Sequence, residues 1–439
     1  MTDLLLRGPT LSFSARPDPG VALALNPAVQ FDADSVVVVR GEQIHDVLPA
    51  ASFAQAGGDL AQCEDLRDAL ILPGFIDTHI HYPQMDMIAS YGSQLLEWLE
   101  RYAFPTEAAF ASNEHAQLKA EAFLDRLFAH GTTTALTFTT VHPGSVEALF
   151  TAANRRNVRL IAGKVLMDRN APDNLRDTGD GVAQCAEQIE RWHGQGRLAY
   201  AITPRFAITC SDAQLSAAGE LLQRYPDLYL HTHLAEHPDE ISATMELFPD
   251  ARDYLDVYDR FGMVGERSVF AHGIHLSDAE LTRLAQVQAT IAFCPSSNLF
   301  LGSGLLDLER LRAFDVPMSV ATDVGAGTSF SMLATLGDGY KVAQLNGQSL
   351  HPLTAMDAIT RGNAQALGVA DRIGRLAAGY EADITVLRPR AGTVLADRVD
   401  RSESLTDRLF AYMLLAGEDA VARCYVAGKL VHERLEIAS

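Results

Sequence analysis

The sequence of 439 residues predicts an α/β fold, a (β/α)8 barrel of the TIM type with a small β-sandwich domain formed from both chain ends. From about residue 71 to 373, eight apolar runs typical of strands alternate with amphipathic segments, which suits the length of such a barrel. Short runs rich in β-branched residues, broken by Gly and Pro, occupy both termini. We therefore predict the sandwich from residues 1–70 and 374–439, and the barrel from residues 71–373.

The predicted barrel strands are, in chain order, ALILPGFID, TTALTFTT, VRLIAGKVL, LAYAITPRF, DLYLHTHL, SVFAHG, ATIAFCP and PMSVATD. Between them, segments such as HAQLKAEAFLDRLFAHG and DAQLSAAGELLQRY carry apolar residues at helical spacing. A doubly wound open sheet is the alternative, but it would not predict a site assembled from so many strand ends. At the termini, GEQIHDV and AGKLVHE share one pattern, a tight turn followed by an alternating strand. The segment YPQMDMIASYGSQLLEWLERYAFPTEAAF exceeds an ordinary βα loop and is expected to pack over the barrel mouth.

Composition and charge argue against several classes of partner. The formal net charge of −21 disfavours binding to nucleic acid or to an anionic membrane, because both would be repelled. The five cysteines are widely spaced and form no CxxC pair, which argues against disulfides and against a cysteine zinc site. We find no signal-peptide pattern, and no run approaches the ~20 apolar residues of a membrane span. These features predict a cytoplasmic protein.

Side chains that can bind a metal stand at the ends of four predicted strands. Strand one ends in His79 and His81, which are two apart and so face the same side of an extended chain. Strand five ends in HTHLAE, which contains His233, strand six ends at His272, and strand eight ends at Asp323. Active-site residues of a barrel lie at these C-terminal strand ends. Three imidazoles and a carboxylate suit zinc, with a position left for water.

The motifs around these residues resemble a known family. PGFIDTHIH, HTHLAE, FAHG and ATDVGAGTSF look like the amidohydrolase superfamily. Within it, HIHYPQ, LLEWLERYAFPTE, GKVLMDRNAPD, ITPRFA, HTHLAEH and FCPSSNLFLGSG are similar to the guanine deaminases, through nearly the whole barrel. The resemblance implies a zinc-dependent hydrolase that deaminates guanine to xanthine and ammonia in purine catabolism. It also implies a homodimer with one zinc per subunit.

The resemblance further implies a role for each matching residue. The zinc ligands would be His79, His81, His233 and Asp323. Glu236, three residues after His233, would be the proton shuttle, and His272 would polarise the attacking water, whose proton Asp323 can accept. The substrate-binding residues would be Gln84, Arg205, Phe206, His233, Glu236 and Asp323. The water would attack C2 of guanine while Glu236 protonates the adjacent ring nitrogen.

One position predicts the number of metals. Superfamily members with two metals usually carry a carbamylated Lys at the end of strand four, where this sequence has Arg205. An Arg stays protonated and cannot form that bridging carbamate. Lys164 falls on predicted strand three, which removes it as a candidate for the bridge. We therefore predict a single metal.

Two other functions stay open at this point. Another mononuclear deaminase or chlorohydrolase, acting on a modified purine, a pterin or a triazine, would need the same metal residues. A non-catalytic relative that keeps the barrel as a scaffold would be expected to lose ligands or the shuttle. All the inferred ligands, Glu236 and His272 are present, which argues against the scaffold.

Overall fold

The computed structural model describes residues 3–92, 94–417 and 419–435. The strands are β1 (Leu4–Phe13), β2 (Val29–Arg40), β3 (Gln43–Pro49), β4 (Glu64–Asp65), β5 (Leu70–Pro73), β6 (Phe75–His81), β7 (Thr132–Phe138), β8 (Arg159–Gly163), β9 (Val165–Leu166), β10 (Leu198–Pro204), β11 (Tyr229–Leu234), β12 (Ser268–His272), β13 (Thr290–Phe293), β14 (Met318–Val320), β15 (Ile384–Leu387), β16 (Val421–Val426) and β17 (Lys429–Glu433).

The α-helices are α1 (Ala50–Gln55), α2 (Leu95–Trp98), α3 (Phe104–Ala108), α4 (Asn113–Ala129), α5 (Pro143–Arg155), α6 (Gly181–Trp192), α7 (Asp212–Arg224), α8 (Pro238–Leu247), α9 (Tyr254–Asp259), α10 (Asp278–Val287), α11 (Pro295–Phe300), α12 (Leu308–Ala313), α13 (Met332–Leu345), α14 (Pro352–Asp357), α15 (Asn363–Ala366), α16 (Val394–Asp400) and α17 (Leu405–Leu415). Serines cap several of them. Ser112, Ser211 and Ser277 accept hydrogen bonds from backbone N–H groups that the first turns of α4, α7 and α10 leave unpaired.

The predicted barrel is confirmed. Its parallel strands run in the order β6, β7, β8, β10, β11, β12, β13 and β14. The short strand β9 also pairs with β10, in parallel. Two predicted strands are divided. ALILPGFID is divided because β5 belongs to a second sheet and the barrel begins with β6, and VRLIAGKVL is divided at Lys164 into β8 and β9. Gly74 lies between β5 and β6. A side chain would not fit there, because a Cβ would lie 2.1 Å from the Thr133 hydroxyl. Apolar side chains from the strands fill the interior of the barrel, among them Ile76, Leu136, Ile161, Ala201 and Tyr229.

The first and last barrel strands are joined by a side chain from outside the barrel. Asn363, at the start of α15, has no exposed surface. Its Nδ2 donates to the carbonyls of Ile76 (2.6 Å) and Val320 (2.7 Å), and its Oδ1 accepts from the Val320 N–H at 2.9 Å. Beyond the strands, the Asp323 N–H donates to the His79 carbonyl at 2.9 Å. The closure of the barrel therefore depends on groups next to two candidate metal ligands.

Replacing Asn363 with Ala is expected to lower the free energy of unfolding by about 3 kcal/mol, because three buried hydrogen bonds are lost at one seam. Urea denaturation followed by circular dichroism measures this change. Asn346→Ala is the matched control, since that half-buried side chain makes one bond, from Nδ2 to the Leu306 carbonyl. An equal, small loss in both variants would contradict the role of Asn363.

Strands from both chain ends join in one mixed sheet, in the order β17, β16, β15, β5, β1, β2 and β3, with β4 against β1. The two segments with a shared turn-and-strand pattern become its edge strands, β3 and β17. The predicted domain boundary between residues 70 and 71 falls inside β5. The domain boundaries stay a prediction. Residues 1, 2, 418 and 436–439 of the predicted terminal parts, and Ser93 of the long segment, lie outside the described residues.

Ion pairs connect this sheet to the base of the barrel. Arg197 precedes β10 and binds both carboxylates that precede β15, with Nη1 3.1 Å from Asp383 Oδ1 and Nη2 2.5 Å from Glu381 Oε2. Arg159, the first residue of β8, donates to the same Glu381 at 3.1 Å. The candidate site lies at the opposite, C-terminal ends of the strands. Among the described helices, none has the length and apolar character needed to cross a membrane.

Candidate metal centre and active site

Four side chains of ligand type converge at the C-terminal ends of β6, β11 and β14. They are His79, His81, His233 and Asp323, and one ligand atom from each lies within 4.8 Å of all the others. Asp323 Oδ1 is 3.2 Å from His79 Nε2 and 3.3 Å from His81 Nε2. The two histidine Nε2 atoms are 3.2 Å apart. Residues separated by more than 200 positions in the chain thus face one point.

The second ring nitrogen of two of these histidines is already engaged. His79 Nδ1 lies 2.7 Å from Nε2 of the buried His231, and His233 Nδ1 lies 2.6 Å from the Arg205 carbonyl. Contacts of this kind set the orientation of a ligating imidazole and leave the other nitrogen for the cation. The contact of His231 with His79 gives His231 a positioning role.

The charge states of the group suit a divalent cation. Burial lowers the pKa of His81 to about 4 and that of His233 well below its usual range, so both imidazoles are neutral and keep a free lone pair. Burial alone would raise the pKa of Asp323, but the adjacent His79 and His81 hold it well below its usual range. Imidazole nitrogens and one anionic oxygen are the donor set of a catalytic zinc.

Two further residues bear on the number of metals. Lys164 lies between β8 and β9, and its Nζ donates to Asp177 Oδ1 at 2.5 Å and to the Val165 carbonyl at 3.2 Å. Cys294 brings its sulfur near His272 and Asp323. Burial raises the pKa of that thiol well above its usual range, and Sγ donates to the Ala292 carbonyl, so it stays protonated and is a poor ligand. A single metal stays our prediction.

Glu236 and His272 stand beside this group. His272 Nε2 is 3.4 Å from Glu236 Oε2 and 3.8 Å from Asp323 Oδ2. The Ser303 hydroxyl donates to Glu236 Oε1 at 2.9 Å, and the Asn298 side-chain amide lies 3.0 Å from His272 Nδ1. Burial lowers the pKa of His272 to about 3. Both side chains are therefore held in place, with His272 neutral.

A second buried acid, Glu240, affects the pKa of Glu236 and binds its backbone N–H. Burial, and then the charges of Asp323 and Glu240, raise the pKa of Glu236 well above its usual range. Glu240 accepts the backbone N–H of Glu236 at 2.8 Å and the Tyr254 hydroxyl at 2.6 Å, while forming the capping box at the start of α8. A carboxyl with a raised pKa can carry a proton at neutral pH and donate it to a substrate.

The predicted substrate residues line one cavity with the catalytic groups. Its lining includes His81, Gln84, Arg205, Phe206, His233, Glu236, His272 and Asp323. The long segment after β6 adds Leu95, Trp98 and Leu99, which form an apolar wall. The structure therefore brings together every site residue predicted from the sequence, with His79 buried beside the cavity.

The sequence interpretation missed Glu107. It lies in α3 with no exposed surface, accepts Arg205 Nη1 on Oε1 (2.8 Å) and Oε2 (2.6 Å), and accepts Gln84 Nε2 on Oε1 at 2.8 Å. Arg205 therefore forms a buried ion pair with Glu107 and also lines the cavity. The motif LLEWLERYAFPTE holds three glutamates, and nothing in the sequence distinguishes the buried Glu107 from the exposed Glu97 and Glu100.

Three of the nine described non-glycine residues with a positive φ lie at the same strand ends. Ala235, His272 and Asp323 have φ values of 49°, 73° and 53°, in the left-handed region that non-glycine residues rarely adopt. Each such residue costs about 1–3 kcal/mol and persists only where its surroundings enforce it. Three strained residues around one cavity support a functional site there.

The profile of the amidohydrolase family matches residues 70–431. The chain belongs to the amidohydrolase family. Among members of this family, it is 50% identical over 377 residues to the guanine deaminase of Escherichia coli (strain K12), which covers 86% of each chain. The solved structure of an E. coli guanine deaminase matches with a TM-score of 0.95 and 45% identity, over 98% of this chain and 100% of that one.

A third amidohydrolase relative was solved with its ligand. The guanine deaminase from C. acetobutylicum, with guanine bound in its active site, matches with a TM-score of 0.88 and 25% identity. The match covers 98% of this chain and 100% of that one. These matches support the barrel and the mixed sheet.

Proposed function

We propose that this amidohydrolase is a guanine deaminase, which hydrolyses guanine to xanthine and ammonia. The observation that carries the proposal is the cavity in which the Glu236, His272 and Asp323 side chains face Gln84 and Arg205. The first three are an acid, a neutral imidazole and a carboxylate, and the other two supply hydrogen bonds to a planar ring. The guanine deaminases to which the chain is similar support this substrate.

The proposed metal is one zinc ion, held by His79, His81, His233 and Asp323. When bound there, zinc lowers the pKa of a coordinated water from 15.7 to about 7. Asp323 carries a negative charge beside the neutral His272, so it can accept the proton of the attacking water. His272 Nε2 can hydrogen-bond to the same water and align it with C2 of the ring.

Glu236 supplies the other proton transfers. Its pKa is raised, so it can begin protonated and donate to the ring nitrogen next to C2, which makes C2 more electrophilic. Having given up that proton, Glu236 can take the proton of the hydroxyl group now on C2 and pass it to the amine. The bond between C2 and the amine then breaks, so that ammonia leaves and the C2 carbonyl of xanthine forms. The proton that Asp323 took from water returns to Glu236, which restores both groups. The Ser303 hydroxyl, bound to Oε1, leaves Oε2 for this exchange.

Arg205 explains a preference for guanine over adenine. The guanidinium offers only donors, which suit the carbonyl O6 of guanine. Adenine carries an amine at that position, so donor would face donor. A site whose buried polar groups go unpaired rejects the wrong substrate strongly.

The test is ammonia release by protein of known zinc content. We expect release from guanine, and a lower kcat/KM for 8-oxoguanine, adenine, cytosine and ammeline. Zinc-loaded protein that releases ammonia from one of the others and not from guanine would overturn the proposal. The same measurement separates a guanine deaminase from a pterin or triazine hydrolase.

Replacing Arg205 with Lys is expected to raise the KM for guanine about 10- to 100-fold with a smaller change in kcat, because Lys keeps the charge but lacks the fork of N–H groups. Lys is preferred to Ala, which would leave Glu107 buried and unpaired at a cost of about 3–5 kcal/mol. Steady-state kinetics give the two constants. Arg361→Lys, which alters the ion pair with Asp357, is the control, and an unchanged KM in the Arg205 variant would contradict the anchoring role.

We propose that the enzyme is a cytoplasmic homodimer with one zinc in each subunit. The resemblance supports the dimer, Arg205 at the end of strand four supports the single metal, and the spacing of the cysteines supports the cytoplasm. Light scattering on the purified protein gives the oligomeric state, and elemental analysis gives the metal stoichiometry. A monomer, or two zinc ions for each chain, would contradict these two proposals.

A further inference from the structure

Glu107 is a fully buried acid that accepts hydrogen bonds from two substrate-binding side chains. It has no exposed surface and does not line the cavity, whereas Gln84 and Arg205 do. One of its oxygens, Oε1, accepts from both Gln84 Nε2 and Arg205 Nη1, and Oε2 accepts from Arg205 Nη1 alone. Glu107 therefore lies behind the two groups that would face a purine.

These contacts determine the orientation of the Gln84 amide, that is, where its oxygen and its nitrogen lie. A carboxylate only accepts hydrogen bonds, so the NH2 end of Gln84 must face Glu107. The Gln84 Oε1 atom then accepts the Gly325 N–H at 3.2 Å, and a turned amide would set donor against donor there. A carbonyl oxygen has a second lone pair, so Gln84, which lines the cavity, keeps an acceptor for a ligand.

The same acid fixes Arg205. Nη1 is the only Arg205 nitrogen with a hydrogen-bond partner among the described residues, which leaves the Nη2 and Nε donors for a ligand. Phe104, on the same helix as Glu107, lies with its ring centre 5.3 Å from the guanidinium carbon. Helix α3 thus holds Arg205 by its charge and by its flat face.

The order of these groups follows the order of atoms along one edge of guanine. Gln84 Nε2 lies 3.4 Å from Nδ1 of His81, so Gln84 stands between Arg205 and the candidate metal ligands. Along the ring, N1–H stands between the carbonyl O6 and the reacting carbon C2. Donor, acceptor and metal centre therefore face O6, N1–H and C2 in turn.

We propose that Glu107 is a positioning residue that makes this pocket specific for a lactam edge, a ring carbonyl next to a ring N–H. It does so by holding Arg205 as the donor and Gln84 as the acceptor. The inference rests on the proposed function, because it assigns O6 and N1–H of guanine to these two side chains. It extends that function by naming the residue that sets the hydrogen-bonding pattern.

The test compares guanine with 2-aminopurine, which has the same amine on C2 but neither O6 nor a hydrogen on N1. With Glu107→Gln, the new amide sets a donor against Arg205 Nη1 and no longer forces the orientation of Gln84. We expect kcat/KM for guanine to fall about 10- to 100-fold, mainly through KM, while 2-aminopurine changes little. The ratio of the two kcat/KM values should therefore fall at least about tenfold.

Three measurements keep this result interpretable. Asp357→Asn is the matched control, because it removes the acid from another buried ion pair, with Arg361, and should leave the ratio unchanged. Glu107→Asp keeps the charge, so its ratio of the two kcat/KM values should lie between those of Glu107→Gln and the wild type. This variant also tests the role of Glu107 if Glu107→Gln is produced in low yield. Zinc content should stay at the wild-type level in all three variants.

The outcomes also separate this inference from the proposed function. Wild-type protein that does not deaminate guanine refutes the proposed function, whatever the variants do. Wild-type protein that does so, together with an equal loss for both substrates in Glu107→Gln and Glu107→Asp, refutes the role of Glu107. A ratio that falls in Glu107→Gln and recovers in Glu107→Asp supports it.

Discussion

Glu236→Gln is expected to lower kcat for guanine by about 10²- to 10⁴-fold while the protein keeps its zinc. The variant has the shape of the wild type and can still accept the Ser303 hydroxyl, but its amide cannot donate and take back a proton. The raised pKa of Glu236 is what suits it to this exchange, and that property disappears with the carboxyl group. Ammonia release and elemental analysis of the same preparation measure both quantities.

The control for this variant is Glu246→Gln, an exposed acid on α8, which should leave kcat unchanged. Full turnover by a zinc-loaded Glu236→Gln protein would refute the shuttle role. Loss of zinc together with activity would show instead that Glu236 holds the metal centre together, which its position outside the group of four ligands argues against.

Asp323→Asn is expected to lower zinc content well below one equivalent and kcat/KM for guanine by at least about 10³-fold, a loss of about 4 kcal/mol. The carboxylate is the anionic member of the group, 3.2 Å from His79 and 3.3 Å from His81, and it is also the proposed proton acceptor. Asn tolerates the left-handed φ of 53° at this position, so the backbone is preserved. Metal analysis and ammonia release are the measurements.

Asp315→Asn is the matched control, since Asp315 is exposed and has a similar φ of 58°. It should change neither zinc content nor turnover. A zinc-free Asp323→Asn protein with wild-type activity would refute a metal-dependent reaction. A zinc-loaded and fully active one would refute both roles of Asp323.

Local sequence patterns were sufficient for the barrel and for the groups that carry the chemistry. The alternation of apolar runs and helical spacing is a property of neighbouring residues, and it predicted all eight strands. His79 with His81, and His233 with Glu236, are close in the chain, and the C-terminal end of a strand is a known position for them. The division at Gly74 was missed because LILP and FID are equally apolar and only the sheets they join distinguish them.

The sequence by itself determined the barrel and predicted the proposed metal ligands and the proposed shuttle, because each depends on a short motif. Only the tertiary structure decided which side chains hydrogen-bond to the site residues and to the barrel strands. Glu107 meets Arg205 across 98 residues, Ser303 meets Glu236 across 67, and Asn363 meets Ile76 across 287. Such pairs produce no periodic pattern in the sequence. A buried polar group needs a hydrogen-bond partner nearby in space, and any element of the chain can supply that partner.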